Sequence, residues 1–168
     1  MKVIEHAHFG RLETGALRET DVVWRNTLQL GDDGVDVLLW AGPSSEPSAG
    51  ELDGLAARLT HLPALDAAAR AALRTHLRED RSFIDFHVEE LDGGETVGRL
   101  VRAAEGGEVG ADAFVAAMRL SGVGLWLGDL SDRSAVVLDY VFEPDLSDQI
   151  LAVRTTPQGA VTAVGWES

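Results

Sequence analysis

His6 and His8, two residues apart near the start of the chain, are the first residues whose types could do chemistry. In a strand, residues two apart share a face. The two imidazoles could then hold a metal with Glu5 or Glu13, the basis for a metal-assisted enzyme. A catalytic zinc site needs three protein ligands and a supporting second layer, and HExxH occurs nowhere in the chain. His6 and His8 are therefore weak metal candidates, and solvated or edge-strand histidines are the expected outcome. His61, His76 and His87 are scattered. His76 falls between Leu73 and Leu77 in a helical stripe, where a partly buried, hydrogen-bonded imidazole is expected ahead of a general base. His87 is flanked by Asp85 and Glu89, whose charge would raise its pKa.

Nucleophile motifs are missing: the chain contains neither GxSxG nor SxxK. Ser121 and Ser131 read as turn residues. Gly122-Val123-Gly124 lacks the third glycine and the helix of a dinucleotide fingerprint. Gly31-Asp32-Asp33-Gly34 reads as a turn, and there is no Walker A sequence. No catalytic residue and no cofactor are expected. The acidic residues from Asp129 to Asp148, including Asp132, Asp139, Glu143 and Asp145, lack EF-hand spacing and read as a solvated rim on turns. Four tryptophans, Trp24, Trp40, Trp126 and Trp166, lie in or at the ends of expected strands. Core packing across a sheet is the expected role, with Trp166 the best candidate for exposure at an interface. Trp166, Glu143, Asp145 and Asp148 are the interface candidates.

These residues must be positioned by a globular fold. The chain has 168 residues, 45% of them apolar and 25% charged, enough for one domain with a sizeable core, spanning 1–168. There is no cysteine, which excludes disulfides and thiolate zinc sites. The net charge of −14 disfavours nucleic acid and anionic membrane surfaces as partners. It favours solubility, and attraction to a cationic protein partner. MKVIEHAHFG lacks the apolar core of a signal peptide and no run approaches 18 apolar residues, so a cytoplasmic location is expected.

Periodicity supplies the elements. Lys2 to Phe9 reads as a short strand. Asp21 to Trp40 reads as a hairpin turning at Gly31–Gly34, with Val35, Val37 and Leu39 on one face. Ala41 to Gly50 is a loop within the same domain. Ser48 and Glu51 have capping-box spacing; Leu52, Leu55, Leu59 and Leu62 share a helical face, and Pro63 ends that helix. Leu65, Ala69, Leu73 and Leu77 mark a second helix to Glu79. Residues 82–91 alternate like a strand but have helical neighbours and a glycine stop at Gly93-Gly94, so a helix is expected. Further helices are expected over Val97–Ala104 and from a cap at Asp112 through Met118. From Ser121 to Ser168, four β-branched runs separated by short turns form a meander. The fold class is α+β: a single antiparallel sheet joining the N-terminal hairpin to the four-strand C-terminal meander, with the helices on one face.

The segments HFGRL, LLWAG, FIDFHVEEL and above all LDYVFEPDLSDQILAVRTTPQGAVTAVGWES resemble DUF2004, a family of uncharacterised bacterial proteins. The specific part is the C-terminal third: the strand Leu138 to Phe142, an acidic turn, the strand around Ile150 to Val153, Gly159, and Glu167-Ser168. The resemblance implies no catalytic residues, and a role like that of immunity partners in bacterial toxin systems. The expected function is non-enzymatic protein–protein binding, with neutralisation of a partner protein as one form of it. The alternatives are the metal-assisted enzyme on His6 and His8, and a small-ligand sensor with a pocket between sheet and helices. A homodimer through an exposed edge strand is compatible with each.

Overall fold

The turn after Leu30 shows how local chemistry sets the architecture. Gly31 has φ of 62°, and no other residue type has a positive φ among the described residues. A glycine in the left-handed region followed by Asp32 suits a two-residue type II′ turn, whose twist matches the flanking strands. It joins β3 (Asp21–Leu30) to β4 (Asp33–Ala41), paired antiparallel with Leu30 opposite Asp33. This is the expected hairpin, with a bulge between Val22 and Trp24. The computed structural model describes residues 3–15, 17–43, 45–90, 98–99, 109–128 and 135–168.

The expected first strand is instead a small hairpin, β1 (Val3–His6) with β2 (Gly10–Glu13). Gly10, at φ 67°, takes a conformation other residues avoid, and the chain reverses before it. After β4 come α1 (Ala49–Thr60) and α2 (Leu62–Glu79). Ser48 caps α1 by accepting from the Glu51 N–H at 3.1 Å. Pro63 sits in the first turn of α2, where its missing N–H is harmless, so α2 begins earlier than Leu65. Residues 82–90 are helical as expected, but in two parts. α3 (Ser82–Asp85) passes into a π-helical turn over Phe86–Glu90. α4 (Ala111–Ala117) is preceded by Gly110, not Asp112, as its cap. The glycine stop at residues 93–94 and nearly all of the helix expected over residues 97–104 lie outside the described residues.

The meander forms as expected: β5 (Arg119–Trp126), β6 (Val136–Val141), β7 (Ile150–Thr155) and β8 (Val161–Glu167), each antiparallel to the next. The single all-antiparallel sheet does not form. Among the described residues there are two sheets, β1-β2 and a mixed sheet of order β3-β4-β5-β6-β7-β8, in which β4 and β5 run parallel. The reason is the connection. An antiparallel neighbour needs only a turn, whereas the long helical crossover between β4 and β5 returns the chain to the sheet in the same direction.

One face of the mixed sheet carries the core. Val35, Val37 and Leu39, Val123 and Leu125, Leu138 and Tyr140, Leu151 and Val153 join Leu52, Leu55, Leu65, Ala69, Leu73 and Leu77 of the helices in one buried cluster. Each fully buried leucine contributes roughly 2 kcal/mol through apolar area removed from water. The β1–β2 hairpin closes the edge of this layer, with Phe9 set edge-on to Trp24 at 4.9 Å. No described helix packs against the opposite face. None of the described helices is long and apolar enough to cross a membrane.

Candidate binding groove on the open face of the sheet

The open face is built from the outward positions of the strand alternation. One cross-strand row reads Thr27, Asp36, Gly122, Asp139, Ala152, Gly165. The next reads Arg25, Leu38, Gly124, Val137, Arg154, Ala163. Two glycines of the central strand β5, Gly122 and Gly124, remove side chains that would fill this face. The result is a groove of about 510 Å³ over β4 to β8, in the size range of ligand sites. A smaller extension of about 290 Å³ continues past Asp36 and Leu38 to Arg25 and Thr27.

Each of two glycines makes room for a neighbour. A Cβ on Gly124 would lie 3.1 Å from Trp126 Nε1; its absence lets the indole lie over the strand. Trp126 stacks on Trp40, its partner in the parallel register, with ring centroids 5.2 Å apart and planes 9° from parallel. A Cβ on Gly165 would lie 3.2 Å from Arg154 Nη1. Its absence lets the Arg154 guanidinium cross β8 and pair with Glu167. The groove therefore has an aromatic wall at one end and an ion pair at the other.

Asp36 and Asp139 flank Gly122 from the two adjacent strands. Among the described residues neither takes part in a salt bridge. The Asp36 carboxylate accepts a hydrogen bond from the Thr27 hydroxyl at 3.1 Å. Burial pushes the Asp139 carboxyl up to about 6, the Glu167 charge adds to this, and Arg154 opposes it. The groove thus carries three carboxylates, Asp36, Asp139 and Glu167, against one guanidinium within it, and has an indole stack beside them. Such a surface suits a cation by charge and by cation–π contact.

His6 and His8 do not form a shared face. His6 ends β1 and His8 lies in the turn. The His6 Nδ1 accepts from the His8 N–H at 3.1 Å, and its Nε2 meets Asp53 of α1 at 2.8 Å. Nδ1 accepts, so the proton is on Nε2 and is donated to Asp53; both ring nitrogens are occupied. Among the described residues no three His, Asp or Glu side chains gather to hold a metal.

His87 corrects a second expectation. Asp85 and Glu89 do not raise its pKa; burial lowers it. The π-helical turn directs the ring inward among Phe83, Phe86, Phe114 and Phe142. Its Nδ1 donates to the Phe83 carbonyl at 2.7 Å, so in the neutral ring Nε2 accepts from the Ser147 hydroxyl at 2.8 Å. The pair resembles a serine–histidine dyad in length, but His87 is fully buried and Ser147 nearly so. With no room for a substrate, the contact clasps the β6–β7 loop to the helical layer.

The expected interface residues lie apart from the groove. Trp166 is 42% exposed, edge-on to Phe83 and Phe86, and its indole N–H donates to Gln149 at 2.7 Å. Glu143, Asp145 and Asp148 lie in the β6–β7 loop, where Asp145 and Asp148 are exposed. Asp129 and Asp132 lie outside the described residues. Asp139 does not belong to an acidic rim on turns: it lies at mid-strand on the open face. The signals that find the groove are the outward alternation Gly122-x-Gly124-x-Trp126 and a single carboxylate inside the apolar run VVLDYV. Both of these cavities open on this face and not between sheet and helices.

No protein-family model, curated protein or solved structure matches the chain.

Proposed function

We propose that this is a non-catalytic binding protein whose open sheet face docks a cationic protein partner. The observation that carries this reading is the groove itself. Two carboxylates with no ion pair among the described residues, Asp36 and Asp139, flank a strip of glycine beside the stacked Trp40 and Trp126. The net charge of −14 extends the attraction beyond the groove and speeds encounter. Neutralisation of a basic protein, the immunity-like role implied by the resemblance to DUF2004, is one form this binding takes. Protein–protein binding was the expectation from sequence, but the surface now proposed is the open face instead of the Trp166 loop region.

The test separates specific docking from bulk charge attraction. A basic peptide containing lysine and arginine is titrated calorimetrically into the wild type and two charge-matched variants. Asp36→Asn with Asp139→Asn should weaken binding by about tenfold or more, equivalent to about 1.4 kcal/mol. Asp145→Asn with Asp148→Asn removes the same charge elsewhere and should change affinity by less than about threefold. Equal losses in the two variants, or no binding to the wild type, would overturn the reading.

A further inference from the structure

Arg154 gives the precedent. Its guanidinium lies across a glycine of the open face, Gly165, and pairs with the carboxylate of Glu167. A bare glycine beside a carboxylate recurs three strands away, on β5. At Gly122 a Cβ would have only ordinary neighbours, the Asp36 carbonyl oxygen at 3.5 Å and Asp139 Oδ2 at 4.0 Å. The Asp139 carboxylate thus leans toward the bare glycine, and Asp36 stands on the other side. The Cα atoms of these two aspartates are about 10 Å apart, twice the strand spacing, which admits one planar cation between two carboxylates. Trp126 lies four residues along β5 on the same face, and its indole reaches back over Gly124 toward the slot. Here the chain supplies carboxylates, glycine and indole, while the one guanidinium of the groove, Arg154, acts on Asp139 by charge but is paired with Glu167.

We propose that the slot over Gly122 receives an arginine side chain of the partner, held between Asp36 and Asp139 and alongside the Trp126 indole. Arginine fits better than lysine for three reasons. Its guanidinium is planar, it can donate to carboxylates on opposite edges, and it stacks on an aromatic face. Lysine offers a compact, strongly hydrated charge that gains little from the indole or from a two-sided carboxylate pair. Partial burial raises the Asp139 pKa, and a guanidinium at the slot would lower it. This assignment rests on the open-face reading above, and specifies which side chain enters and where.

The experiment compares acetylated arginine–serine and lysine–serine repeat peptides of equal length and charge. Calorimetric titration of the wild type should give about tenfold tighter binding of the arginine peptide, equivalent to about 1.4 kcal/mol. Gly122→Val fills the slot and should erase that preference while leaving the lysine peptide within about twofold. Gly122→Ala, which meets only van der Waals contacts, serves as the second variant if valine disturbs folding, with an intermediate loss of preference expected. Equal affinity of the two peptides, each weakened by Asp36→Asn with Asp139→Asn, would overturn the arginine slot and leave the open-face reading standing. An arginine preference that survives in both glycine variants would also overturn the slot. Absence of binding to either peptide would overturn both.

Discussion

The two faces of the sheet treat buried polar groups in opposite ways. On the helix-covered face the central cluster is partnered, although Thr14 Oγ1 and Arg58 Nε at its margins are not. The Tyr140 hydroxyl donates to Asp66 at 2.6 Å, and Arg70 donates to the same carboxylate at 3.0 Å. Arg70 also donates to the Val115 and Met118 carbonyls and lies over the Tyr140 ring. This knot ties α2 to β6 and to the end of α4, and burial, together with the hydrogen bond to Asp66 and the Asp66 charge, raises the Tyr140 pKa. On the open face, Asp139 is largely removed from water without an ion pair. Buried polar groups that are satisfied hold a fold together; a carboxylate left in need of a cation weakens it. The difference accords with a structural role for the covered face and with the binding role proposed for the open one.

The largest expected effect breaks the comparison at its structural end. Asp66→Ala strands the Tyr140 hydroxyl and the Arg70 guanidinium, and should cost about 3 kcal/mol in urea denaturation. Asp36→Ala on the open face should stay within about 0.5 kcal/mol. Similar losses for the two would dissolve the distinction between the faces.

Next in size is His87. His87→Gln should cost about 2 kcal/mol at pH 7.5, through lost packing and a strained clasp to Ser147. The pH dependence sharpens the test. The folded pKa of His87 lies below the ordinary 6.5, so its contribution is fully present above pH 6.5 and is lost as pH falls below it. The wild type should therefore lose stability on acidification below pH 6.5, and His87→Gln should lose less.

Binding gives the third effect. Trp126→Ala removes half of the indole stack and should weaken a basic peptide about tenfold, while Trp166→Ala should leave its affinity unchanged. Calorimetry on both variants distinguishes the groove from the exposed edge tryptophan.

The smallest effect has the opposite sign from the others. The Asp139 carboxyl is raised from 3.8 to about 6. Its contribution to stability is therefore present below pH 3.8 and lost as pH rises through about 6. Asp139→Asn should stabilise the protein at pH 7.5 by about 1 kcal/mol, about a third of the full conversion because solvent reaches the group. The gain should vanish by pH 4, as followed by thermal melts. A substitution that stabilises the fold yet weakens binding is the signature of a residue held for function.

Much of the fold was legible because burial imposes period. The leucines of α1 and α2, the β3–β4 hairpin and the order of the four C-terminal strands all follow from spacing. The parallel pairing of β4 with β5 was not legible: strand direction depends on where a long helical crossover lands, and periodicity is blind to that. The hairpin inside residues 3–13 was missed because its turn hangs on one glycine, Gly10, among residues that alternate well enough for a strand. The groove was harder still. Its carriers, Gly122, Gly124 and Asp139, are individually ordinary and become a site only when six strands set them side by side. Trp166 was correctly expected at the surface, whereas Trp40 and Trp126 were expected in the core and instead stack on the open face. Alternation tells which residues share a face but not which face the helices will cover.

The four tryptophans provide the most direct measurement of where a cation docks. In a two-dimensional NMR titration with an arginine–serine repeat peptide, each indole N–H reports its own surroundings. The indole signals of Trp40 and Trp126 should move together and saturate, along with the backbone amides of Gly122 and Gly124, while those of Trp24 and Trp166 stay in place. Movement of Trp166 with Trp40 and Trp126 unmoved would contradict docking on the open face.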